Sequence, residues 1–195
     1  MTTRITFLRL AIGGALLSAP LTTLTINATP ARATPARATP VRATPAPSLT
    51  DKLPKLKGTL TKGQIAAAAA LAQLGVSFSW GGGSTKGPTL GIGRGATTRG
   101  FDCSGLTLYA WSRAGIRLSH HTAAQFRQGR KIPLRARRTG DLLFFGGTPG
   151  APTHVALFLT GTLMIHAPKT GDVVRKANFN TPYFRTTYRG TVRPG

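Results

Sequence analysis

The chain contains no glutamate, and its only acids are Asp51, Asp102, Asp141 and Asp172. A mechanism built on paired carboxylates would need two of these four, so glycosidase-type chemistry is disfavoured. An all-oxygen cage for a hard cation is disfavoured for the same reason. A single cysteine, Cys103, permits no internal disulfide and no multi-cysteine zinc site. No metal or organic cofactor is expected. Uninterrupted apolar runs long enough to span a bilayer are also missing.

Positive charge is abundant instead. Lys and Arg number 26 in 195 residues, and the formal charge is +22. A chain of this length fits one ordinary domain with appendages. Its charge predicts attraction to a polyanion: nucleic acid, anionic lipid or an anionic cell wall. No aromatic-studded basic motif of a nucleic-acid module is present, so no specific nucleic-acid partner is expected.

Residues 1–28 read as a secretory leader. Arg4 and Arg9 give the positive start, Leu10 to Leu17 the short apolar centre, and Pro20 with small residues the approach to cleavage. This predicts a secreted protein of the cell wall or periplasmic space, membrane-associated only if the leader is not removed. The repeat ATPAR, ATPAR, ATPVR, ATPAP runs from Ala28 to Pro47, and residues 29–57 read as a linker. Proline every fifth residue blocks helix and leaves nothing to pack a core, which predicts a disordered, semi-rigid linker. The folded domain is expected over 58–195. Nothing in the sequence sets an oligomeric state.

Within that domain, Gln64 to Leu74 is alanine-rich and predicts a helix stopped at Gly75. SFSWGGG and a glycine-rich stretch follow, out to Gly100. GIGRGA within it lacks the Gly-Lys-Ser/Thr ending of a phosphate loop and reads better as a loop at the rim of a cleft.

GFDCSGLTLYAW, Gly100 to Trp111, organises the rest. Asp102 can cap a helix whose following residues are apolar almost all round, so the helix belongs inside a domain. Cys103 would then sit at its N-terminus, where unpaired amides and the helix dipole favour a thiolate. A short helix is expected over His121 to Gln128. Beyond it lie five short runs rich in apolar and β-branched residues: 141–145, 154–160, 163–167, 172–176 and 185–192. Helices first and strands after give an α+β order with a mostly antiparallel sheet. His154 opens one strand and His166 sits in the next, with Gly161-Thr162 as the turn between them. A hairpin would set both imidazoles near one end of adjacent strands, and a cysteine helix packed on that sheet would bring Cys103 into line with them. Chemistry would then make Cys103 the nucleophile, His154 the base, and His166 the residue that orients His154 by accepting a hydrogen bond from its other ring nitrogen.

GFDCSG, a histidine opening an apolar strand, and a polar residue about a dozen positions on together resemble the NlpC/p60 family of bacterial cell-wall cysteine peptidases. AAALAQLGVSFSWGG resembles the family's opening helix and Trp-Gly-Gly turn. RTGDLLFFGG resembles its Gly-Asp strand start, and MIHAPKTGDVV its third catalytic segment. The insert GPTLGIGRGATT resembles the actinobacterial branch. The resemblance implies a papain-like core with the nucleophile helix packed on the sheet. It also implies hydrolysis of peptidoglycan stem peptides, commonly between γ-D-glutamate and the diamino acid, by a Cys103–His154–His166 triad. Anionic cell-wall polymers become the natural partner of the basic surface. Asp102, Ser104, Trp80 and His121 would then contact substrate. One departure stands out: where the family usually has a tyrosine two residues before the tryptophan, this chain has Phe78. A wall-binding protein with little turnover is the alternative reading.

Overall fold

In a computed structural model, residues 59–195 of the chain are described. The expected leader and Arg/Pro linker, residues 1–28 and 29–57, lie outside them.

The first helix, α1 (Lys62–Leu71), begins in a reciprocal cap: the Thr61 hydroxyl accepts from the Gln64 amide while the Gln64 side chain accepts from the Thr61 amide. Its buried face is alanine alone, at 66, 67 and 70, which lets it lie close against the next long helix. The chain turns at Gly75, where φ is +82°. A glycine-rich excursion follows and contains a two-residue ribbon, β1 (Thr89–Leu90) paired antiparallel with β2 (Arg99–Gly100). This loop is anchored from beneath. The buried Ser79 hydroxyl lies within hydrogen-bonding reach of the Gly95 and Thr98 carbonyls (3.1 and 2.7 Å), and the Ile92 amide donates to the Trp80 carbonyl.

Helix α2 (Cys103–Arg113) buries seven of its eleven residues, as its apolar coat requires. Trp111 closes its far end, donating Nε1–H to the Gly140 carbonyl, and Gly115 (φ +77°) turns the chain away. A single turn, α3 (Thr122–Gln125), follows.

The remainder forms one sheet from β3 (Arg130–Ile132), β4 (Leu142–Phe145), β5 (His154–Thr160), β6 (Leu163–His166), β7 (Arg175–Asn178) and β8 (Tyr188–Arg193), with a short helix α4 (Pro182–Thr187) before β8. The order is β3-β8-β4-β5-β6-β7, and every pairing is antiparallel. The two faces of the sheet carry separate cores. Leu142, Phe144, Val155, Leu157 and Ile165 face α1 and α2. Leu143, Phe145, Ala156, Phe158 and Met164 pack with Phe179 and with Phe184 of α4. The architecture is the papain-like α+β core that the sequence implied. The 172–176 strand begins later than expected, at Arg175. The segment 185–192 starts as α4, because Thr181 caps it and Pro182 occupies its first turn.

Asp141 follows the turn at Thr139 and Gly140. It is buried, accepts from the Arg138 amide (2.7 Å), and takes Nε and Nη2 of Arg193 at 2.7 and 2.8 Å. This fork fastens β8, the strand between β3 and β4, to the start of β4. Asp141→Asn leaves the guanidinium without its counter-charge. We expect a loss of about 2–3 kcal/mol, read as a lower urea midpoint with unchanged slope.

Candidate active site

The start of α2 is built around Asp102. Its Oδ1 accepts from the Gly105 amide (2.6 Å) and from the Ser104 hydroxyl (3.0 Å), and Oδ2 accepts from the Gly81 amide (3.0 Å). His120 Nε2 lies 3.2 Å from Oδ1. Burial by itself would raise the Asp102 pKa. The His120 bond, the Gly105 amide and the Ser104 hydroxyl outweigh it and hold the carboxyl below its usual range. The same bond raises the His120 pKa. Position 105 has to be glycine: a Cβ there would run into the Gly82 carbonyl and the His120 imidazole.

Cys103 follows immediately. Its sulfur lies 3.6 Å from the Thr122 hydroxyl, and the Val155 amide faces it from the start of β5. The residue keeps some exposed surface. The position at the helix start alone predicts a ready thiolate, and the surroundings oppose it. Burial, and secondarily the negative charge of Asp102, push the thiol pKa up, against the smaller opposite effects of Thr122, Val155 and Ser104.

His154 and His166 meet as the hairpin predicted. Their strands pair antiparallel, Gly161 (φ +55°) makes the turn, and His154 Nε2 stands 2.9 Å from His166 Nδ1. Burial drives the His154 pKa down to about 4, only slightly offset by Asp102. It drives His166 down to about 3, helped by His154 and Arg175. Both rings are therefore neutral near pH 7. Among the described residues the sulfur makes no hydrogen bond to either imidazole. His154 is instead linked to it through the adjoining Val155 amide.

The other sequence candidates divide. Ser104 is buried and bonded to Asp102. Trp80 is 47% exposed, its ring beneath the Arg94 guanidinium at 4.0 Å, and it borders a cavity of about 220 Å³. His121 is exposed and precedes α3 without a side-chain cap, so the imidazole that reaches the Asp102 cluster is that of its neighbour His120. Phe78 is buried in the core against α2, with its amide bonded to the Asp172 carbonyl.

Two residues were not singled out from the sequence. Thr122 touches the sulfur. Gln125, fully buried, accepts from the Thr107 hydroxyl and donates to the Ser104 and Ser119 carbonyls, tying α3 to the cysteine helix. A polar pair in an otherwise apolar turn was the available signal. Among the described residues, no three His, Cys, Asp or Glu side chains converge as metal ligands would.

A papain-like core with a cysteine at the head of its buried helix and two imidazoles on the facing sheet defines a fold class in which sulfur chemistry recurs. The chain belongs to the NlpC/P60 family, whose model matches residues 75–193. It is 46% identical over 117 residues to peptidoglycan endopeptidase RipA of Mycolicibacterium smegmatis, a match covering 58% of this chain and 23% of RipA. The chain therefore corresponds to about a quarter of that relative. Among solved structures, the peptidoglycan hydrolase RipB of Mycobacterium tuberculosis superposes with a TM-score of 0.61 at 34% identity, covering 68% of this chain and 64% of RipB. RipD of Mycobacterium tuberculosis, described as a non-catalytic NlpC/p60 domain protein adapted to peptidoglycan binding, gives 0.60 at 38% identity, covering 69% of this chain and 98% of RipD.

Proposed function

We propose that this chain is a secreted peptidoglycan hydrolase that cuts stem peptides, at the bond between γ-D-glutamate and the diamino acid. The observation that carries the reading is the 2.9 Å imidazole pair beside a cysteine at a buried helix start. Endopeptidase relatives support the substrate class.

In the reaction, His154 donates its Nε2 proton to His166 Nδ1, which leaves Nδ1 of His154 as the base. As substrate enters, the Cys103 thiol proton passes to that Nδ1 while the sulfur attacks the γ-carbonyl carbon. Amides of the first turn of α2 receive the oxyanion. The tetrahedral adduct collapses, the C–N bond breaks, and His154 returns its proton to the leaving amine. Water then attacks the thioester, giving its proton to His154, and the thiol is restored as the γ-carboxylate departs. Because burial keeps both the thiol and the imidazole neutral, proton transfer accompanies attack. Residues 1–28 serve as the leader, 29–57 as a spacer, and 58–195 as the catalytic domain. The excess of positive charge holds the protein to wall polyanions.

Depression of the His154 pKa fixes the pH profile. A base with a lowered pKa stays unprotonated until pH falls to that value. We expect kcat/KM on a soluble stem peptide to hold down to about pH 4 to 5, with its acid limb near 4. A limb near 6.5 would mean that His154 is solvated in the working enzyme.

The second reading, a wall binder with little turnover, is favoured by Phe78 and by the non-catalytic relative. Digestion of purified peptidoglycan, with mass analysis of the products, decides. Release of fragments ending in γ-D-glutamate supports the hydrolase. Binding without release supports the binder.

A further inference from the structure

Among the described residues, two acids are paired with arginine: Asp141 with the Arg193 fork and Asp172 with Arg175 Nε. An arginine counter-charge does not titrate in the working range of a protein. Asp102, the acid joined to Cys103 in the chain, has a histidine instead, His120 Nε2 at 3.2 Å. Its other partners, the Gly81 and Gly105 amides and the Ser104 hydroxyl, are neutral. The charge at the head of α2 therefore turns on the state of one imidazole.

The fold holds that imidazole in place. Just before it, Gln125 donates to the Ser119 carbonyl and Gln128 accepts from the Ser119 amide. An ionised carboxylate only accepts, so Nε2 carries a proton whether or not the ring is charged. The Gly82 carbonyl of the glycine-rich loop also faces the ring, and Asp102 is the charged group that acts on it. The Asp102 bond keeps the ring protonated to higher pH than a free histidine, against the opposing effect of burial. With 32% of its side chain exposed, the ring can exchange that proton with water. Around the sulfur stand Asp102, the Thr122 hydroxyl and the Val155 and Ser104 amides, and of these only Asp102 is charged.

We propose that His120 is a positioning residue that acts on Cys103 through Asp102. As imidazolium it cancels the charge beside the sulfur; as imidazole it leaves the carboxylate to oppose the thiolate. Protonation of His120 thus makes the thiol easier to ionise, and loss of that proton makes it harder. The reactivity of an ordinary thiol climbs with pH; here the climb is flattened where His120 titrates. This deepens the hydrolase reading, which makes Cys103 the nucleophile.

The test needs no turnover. The chain has a single cysteine, so alkylation of the full chain by iodoacetamide is followed as one mass shift. His120→Gln keeps an N–H donor for Asp102 but cannot become charged, and His120→Lys stays charged beyond the range of histidine. At about pH 6 wild type should react about fivefold faster than His120→Gln, and at about pH 9.5 the two should react equally. His120→Lys should match wild type at the lower pH and exceed it at the higher. A ratio of wild type to His120→Gln that is the same at both pH values is what a purely structural contact gives, and it overturns the inference. So does a folded His120→Lys that reacts like His120→Gln. Melting curves verify folding, and the glutamine ratio decides even where lysine is not tolerated. Peptidoglycan digestion by wild type reports separately on the hydrolase reading. Fragment release with a constant ratio sinks only the role of His120; a pH-dependent ratio without release sinks only the hydrolase.

Discussion

Cys103→Ala releases no stem-peptide fragments above background: we expect a loss of about 10⁴-fold or more in kcat/KM. Without the sulfur no thioester can form, and the remaining oxyanion donors and binding contacts supply only a residual acceleration. The substitution is structurally mild. The side chain is small, and its polar contacts, to the Thr122 hydroxyl and the Val155 amide, are weak. The variant should therefore melt close to wild type and still sediment with purified peptidoglycan. Fragment release that survives the substitution would remove Cys103 from the reaction. Loss of binding together with hydrolysis would mean the site had been distorted instead.

His154→Gln should be the next most damaging change, about a thousandfold in kcat/KM. Glutamine keeps a polar group at the head of β5 but cannot take up the thiol proton. The raised thiol pKa sharpens this expectation. Where a cysteine rests as thiolate, loss of the base spares part of the first step. Here the proton must be removed during attack, so both halves of the reaction suffer. The two explanations separate on pH. If His154 is the base, the residual activity of the variant should climb with rising pH as thiolate forms unaided. A flat residual rate would reassign the base.

Much of this site was legible because its signals are local. Asp102 precedes a run of apolar residues, and the cap it predicts is the cap that forms. The strand from His154 to Thr160 has the bounds expected of it, since an uninterrupted apolar run closed by Gly161 has few other ways to sit in a sheet. Legibility ended where partners are distant in sequence. Nothing near Gln125 indicates that its amide will meet the Ser104 carbonyl. The choice between His120 and His121 depends on the backbone angles of a coil, which residue type does not encode. β3 is Arg-Lys-Ile, an edge strand whose charge hides it from any search for apolar alternation. The thiol shift was missed for a related reason. A dipole at a helix start follows from the helix alone, while the packing round the sulfur comes from α3 and β5.

Each acid among the described residues already faces a basic side chain of its own chain: Asp102 the His120 ring, Asp141 the Arg193 fork, Asp172 the Arg175 guanidinium. Among the described residues no anionic patch is left for a second copy to dock against. With a formal charge of +22, two molecules approaching in dilute salt repel, and added electrolyte relaxes that repulsion. On a densely anionic support such molecules would be held by the surface and spaced from one another, so coverage should saturate below close packing and rise with ionic strength until the hold itself weakens.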